Sequence, residues 1–86
     1  MNIYLKDLKP EYNIIDIRDR ESYNANHVLN ALNIPMDLLL NNPSKYLDKN
    51  NTYYIYCYSG TRSKKTCELL SLLGYKVINV IDGFGK

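Results

Sequence analysis

At 86 residues the chain has room for one compact domain, 1–86, and not for two. Its 45% apolar and 23% charged residues are those of a folded globular protein, and a net charge of +2 lacks the one-sided excess of a nucleic-acid-binding surface. The longest apolar run, Tyr53 to Tyr58, is far short of the roughly 20 residues that span a bilayer, which argues against a membrane protein. The N-terminus carries the Lys6-Asp7 charge pair where a signal peptide needs an apolar stretch, so a cytoplasmic location is expected. Ile3-Tyr4 predicts a short strand, followed by a helical turn over Leu5 to Leu8 that ends before Pro10. Asn13 to Ile17 is a near-continuous apolar run, as expected of a strand covered on both faces. Asp19 then suits the N-cap of a short helix reaching about Asn24, with Glu21 in the first turn.

Ala31 to Ile34 precedes Pro35, which pushes the residue before it into extended geometry, so a strand is predicted there. Met36 to Leu40 and Ser44 to Leu47 predict two short helical pieces around Asn41-Asn42-Pro43. Tyr53 to Cys57 is the strongest strand, rich in aromatic and β-branched residues. The best helix runs from about Arg62 to Leu73 and stops at Gly74; Lys76 to Val80 is a fifth strand. Strands alternating with helices predict a three-layer α/β domain, about five strands in a mostly parallel sheet with helices on both faces.

Two cysteines are too few for a disulfide framework, and with the lone His27 they lack the spacing of a zinc site. In open parallel sheets, sites form where strands hand over to helices. That points to Cys57-Tyr58-Ser59-Gly60-Thr61-Arg62-Ser63, which joins the strongest strand to the strongest helix. A helix N-terminus and a nearby cation both lower a thiol pKa, and here curled amides and Arg62 are expected to supply them. Gly60 permits the curl, while Ser59, Thr61 and Ser63 offer donors to an anion. Asp16 and Arg18 point to the same side and predict an ion pair bracing the site rim. Cys67, in step with Leu70 and Leu73, is expected in the core.

These motifs, in this order, resemble the single-domain rhodaneses, which are thiosulfate or persulfide sulfurtransferases. The resemblance rests on Asp16-Ile17-Arg18, Tyr23, His27-Val28, Ala31-Leu32-Asn33-Ile34-Pro35 and Cys57-x-x-Gly60-x-Arg62-Ser63, and continues through Leu69-Leu70 and Gly74-Tyr75 to Asp82-Gly83. Ser22, Asn26, Leu29 and Asn30 stand where the family usually has an acid, glycine, proline and glycine. Family chains often continue with a further helix; here the sequence stops at Lys86, so one flank of the site is expected to be less covered.

The resemblance implies Cys57 as nucleophile, Tyr58 to Ser63 as the substrate-binding loop, and Asp16, Arg18 and a buried His27 as structural support, with no metal and no cofactor. It implies a small sulfur-containing anion as donor, and a thiol, cyanide or a sulfur-accepting protein as acceptor. Alternatives are a persulfide carrier serving a partner protein, a phosphatase or arsenate reductase, and a module without chemistry. The related phosphatases use a loop one residue longer; here four residues separate Cys57 from Arg62, the sulfurtransferase form.

Overall fold

Strand periodicity organises the molecule. Residues 1–85 are described by a computed structural model, in which five parallel strands form one sheet in the order β1-β5-β4-β2-β3. The strands are β1 (Asn2–Ile3), β2 (Asn13–Asp16), β3 (Leu32–Asn33), β4 (Thr52–Tyr56) and β5 (Lys76–Val80). Because side chains alternate across a strand, Ile15, Ile17, Tyr53, Ile55, Cys57 and Val77 share one buried cluster, and Ile14, Tyr54, Tyr56 and Val80 pack in another. Helices α2 (Met36–Asn41), α3 (Pro43–Tyr46) and α4 (Thr61–Leu72) supply Leu39, Tyr46, Cys67 and Leu70 to the first layer. Helix α1 (Arg20–Ala25), the 3-10 turn Leu5–Asp7 and Phe84 cover the second with Tyr23, Leu5 and the Phe84 ring. This is the three-layer α/β architecture expected from the alternating pattern.

Local chemistry accounts for the element ends. The Asp19 carboxylate accepts the Ser22 N–H at 2.8 Å and caps α1, and Pro43 opens α3 at a position where its missing N–H is harmless. At the far end of α4 the N–H groups of Gly74 and Tyr75 bond back to Ser71 and Leu70, a complete Schellman closure with Leu70 and Tyr75 meeting in the core. The edge strands β1 and β3 have two residues each; β3 is shorter than the Ala31 to Ile34 run suggests, because the Ala31 N–H closes a turn onto the Val28 carbonyl at 3.0 Å and only the Ile34 N–H, bonded to the Asp16 carbonyl, continues toward β2. No helix among the described residues is long and apolar enough to cross a membrane.

Candidate active site

Strand β4 ends at Tyr56, and the chain then curls through Cys57-Tyr58-Ser59-Gly60 into α4. Continuing the alternation of β4, the Cys57 side chain faces the α4 layer, where it is 3% exposed. Its sulfur receives the Ser63 N–H at 3.3 Å and lies 3.4 Å from Ser63 Oγ. Burial pushes the Cys57 thiol up, but the Ser63 side chain, once its hydroxyl turns to the sulfur, and the Ser63, Ser59 and Gly60 amides outweigh it and bring the thiol below its usual value. The dominant stabilisers are therefore neutral donors. A concave bowl of this kind suits a thiolate and any small anion it generates.

The bowl requires its glycine. Gly60 is the residue before α4 and has φ +87°, a left-handed conformation that other residues adopt at a cost. A Cβ there would sit 2.1 Å from the Ile81 carbonyl oxygen. Gly83, at φ +67°, is pressed equally closely on the Tyr58 carbonyl, with 2.3 Å from its own notional Cβ. The Phe84 N–H donates to the Cys57 carbonyl at 2.9 Å. Residues 81–85 thus lock onto the loop, because two glycines allow backbone to approach backbone.

Beneath this tail lies a buried ion pair. Arg18 meets Asp16 through Nη2 at 2.8 Å and Nε at 3.1 Å, and the two residues are 5% and 0% exposed. The expected rim brace is therefore internal. The guanidinium also donates to the Asn26 carbonyl at 2.6 Å and lies 5.1–5.6 Å from the centroids of the Tyr56, Tyr58 and Phe84 rings. Tyr56 donates its hydroxyl to Asp16 at 2.8 Å, so the floor is satisfied from three elements.

Other sequence-predicted residues are distributed differently. Tyr58 turns away from the bowl, its ring over Arg18 and its hydroxyl against Ser22 Oγ. Ser59 and Thr61 stand exposed, with Ser59 Oγ donating to Thr61 Oγ1 at 3.3 Å. Arg62 is also exposed and lines a shallow depression with Ile17, Asp19, Pro35, Met36 and Asp37; it assists the Asp19 carboxylate, whose pKa is lowered mainly by the Ser22 N–H. The sequence places Arg62 beside the sulfur; the structure places it in this depression between two carboxylate-bearing residues, Asp19 and Asp37. His27 departs from its expected burial. It is exposed, stacked on Tyr23 with centroids 3.8 Å apart and bonded by Nδ1 to the Tyr23 carbonyl, since the short α1 ends at Ala25 and leaves position 27 outside the core.

One partner of the bowl was absent from the sequence reading. Asn79 on β5 shares the inward face with Val77, is 3% exposed, accepts from Ser63 Oγ and donates to the Gly60 carbonyl at 3.3 Å. A polar residue inside the otherwise apolar run Val77-Ile78-Asn79-Val80 is the sequence signal that marks it.

The fold and site together define a parallel α/β domain that presents a cysteine thiol in an amide bowl at the carboxyl edge of its sheet. The chain belongs to the rhodanese family, as the Rhodanese-like domain model matches residues 2–86. It is 38% identical over 72 residues to the thiosulfate sulfurtransferase GlpE of Coxiella burnetii, covering 83% of this chain and 66% of that protein. It is 33% identical over 78 residues to the putative sulfur carrier protein YrkF of Bacillus subtilis, covering 90% of this chain and 42% of that one. The crystal structure of SSP1007 from Staphylococcus saprophyticus superposes with a TM-score of 0.86 at 30% identity, over 95% of this chain and 87% of that one. The chain thus spans about two thirds or less of the length of these two curated relatives.

Proposed function

We propose that the protein is a sulfurtransferase that carries a sulfane sulfur on Cys57. The observation that carries this reading is the bowl itself, with the Ser59, Gly60 and Ser63 amides acting on the sulfur. The thiolate attacks the outer sulfur of thiosulfate; the new S–S bond forms as the donor's S–S bond breaks, and its electron pair leaves with sulfite. A nucleophile, cyanide or a thiol, then attacks the outer sulfur of the persulfide, and the electron pair returns to Cys57 Sγ. The amides stabilise both anions without a metal or cofactor, and two half-reactions through one covalent intermediate give ping-pong kinetics. Arg62, exposed at the start of α4, is the cation that attracts the anionic donor. Asp16 and Arg18 hold the floor. His27, stacked outside the core, has no step in the reaction. The unpaired thiols of Cys57 and Cys67 suit a reducing compartment such as the cytoplasm.

Delivery to a partner protein is the second form of the same chemistry, favoured by the likeness to a putative sulfur carrier. A phosphatase or arsenate reductase is disfavoured by the short loop. Intact-mass measurement after incubation with thiosulfate tests the core claim. A gain of one sulfur atom, removed by cyanide and missing in Cys57→Ser, is expected; a wild-type protein that gains none overturns it. Rapid transfer to a protein with slow turnover on small acceptors distinguishes the carrier form.

A further inference from the structure

The direction of the hydrogen bonds behind Cys57 is determined by acceptors. The Gly60 carbonyl, which also takes the Lys64 N–H at 3.1 Å, can only accept, so the Asn79 amide must present Nδ2 to it. Asn79 Oδ1 is thereby turned to Ser63, and an amide oxygen also can only accept. The single hydroxyl proton of Ser63 is committed to Asn79, leaving an Oγ lone pair toward the sulfur at 3.4 Å. A neutral thiol donates into that lone pair, whereas a thiolate is opposed by it. For Ser63 to give the thiolate a hydrogen bond, its hydroxyl must first leave Asn79. Cys57, Ser63 and Asn79 are all buried, so breaking the Ser63–Asn79 bond leaves a buried acceptor without its partner.

We propose that Asn79 is a positioning residue that acts through Ser63 to hold Cys57 toward its protonated form, raising the pH at which the thiolate appears above what the bowl amides alone set. Its consequence for catalysis rests on the sulfurtransferase reading. In the persulfide, Sγ carries neither proton nor charge, the outer sulfur bears the charge, and the Ser63 lone pair is tolerated. Discharge returns an electron pair to Sγ, and a thiol of higher pKa is the slower leaving group. Asn79 therefore lengthens the life of the loaded state against small nucleophiles, a property suited to a carrier.

Other ionisable groups near the bowl come from every adjoining element. Cys67 lies on α4 in the same cluster and, with Lys64 and Glu68 of α4 and Met1 before β1, lines an open pocket that Asn79 borders; Arg62, at the start of α4, shares a depression with Asp19 and Asp37. The Asp16–Arg18 pair packs with Tyr56 and Phe84 on the other side of the sheet. All are retained in the variants below, so a difference between variants reports the relay.

The test is the pH dependence of Cys57 alkylation by iodoacetamide, with the modified residue assigned by peptide mass, in wild type, Asn79→Ala, Ser63→Ala and the double variant. Releasing the Ser63 proton to the sulfur is expected to move the midpoint down by about one pH unit in Asn79→Ala. In the Ser63→Ala background the same change is expected to move nothing, because no hydroxyl remains to be released. An unmoved or raised midpoint in Asn79→Ala overturns the proposal. So does an equal shift in both backgrounds, the signature of water entering a loosened core. Asn79→Val, which keeps strand preference and lacks an acceptor, is read the same way if the alanine variant does not fold. The measurement needs no sulfur transfer. Expected alkylation without persulfide formation sinks the transfer reading alone, while sulfur loading with an unmoved midpoint sinks the relay alone.

Discussion

Cys57 and Cys67 lie in the same apolar cluster, at 3% and 7% exposure, yet their thiols are driven in opposite directions. Burial raises both. At Cys67 it dominates and pushes the thiol up to about 12, because a mid-helix side chain faces apolar neighbours and the backbone N–H groups around it already serve the helix. At Cys57 the chain leaves a strand and enters a helix, so N–H groups without helical partners converge on the sulfur and overcome the same penalty. Burial says how much a thiol will be shifted, while the direction of the surrounding backbone decides which way.

The sharpest separation of the two is chemical. Cys57→Ser is expected to lower thiosulfate:cyanide transfer at least ~10³-fold, while Cys67→Ala leaves the rate within about twofold. Next comes the bowl. Gly60→Ala forces a Cβ onto the Ile81 carbonyl at positive φ, and should cost about 3 kcal/mol in denaturant titration together with most of the activity. Under alkylation at neutral pH, Cys57 is expected to react on the order of 10²-fold faster than Cys67, which becomes reactive only as the protein unfolds; comparable rates would break the comparison.

The smallest effect is thermodynamic, and its sign differs between the two thiols. The folded Cys57 value lies below the unfolded one, so its contribution to stability is complete above the unfolded value of about 8.5 and is lost as pH falls through the folded value. Cys67 behaves oppositely: its contribution is complete below about 8.5 and is lost as pH rises toward about 12. Between about pH 8.5 and 11, stability of Cys67→Ala should therefore decline less steeply than that of wild type, after an initial loss of about 1 kcal/mol from the removed sulfur.

Much of this arrangement is legible in the chain. Periodicity placed all five strands and the long helix, and the resemblance of its ordered motifs to the rhodaneses placed Cys57 and its loop. Asp19 capping α1 and Gly74 closing α4 follow from neighbours within a turn. His27 was misplaced because burial depends on how far α1 extends, and nothing near position 27 reports that. Arg62 was drawn to the sulfur because spacing shows that a cation is near but not which way its long side chain turns.

Sequence alone determined the order of elements and the placement of a thiol and a glycine turn at the end of β4, since strand alternation, glycine-permitted turns and helix starts are short-range effects. Tertiary structure alone decided that Arg18 is a floor and not a rim, that residues 81–85 clamp the loop, and that Asn79 governs the Ser63 proton. Each of these depends on which elements meet across the sheet: only when β5 lies beside β4 does an amide on one strand orient a hydroxyl that faces a sulfur at the end of the other.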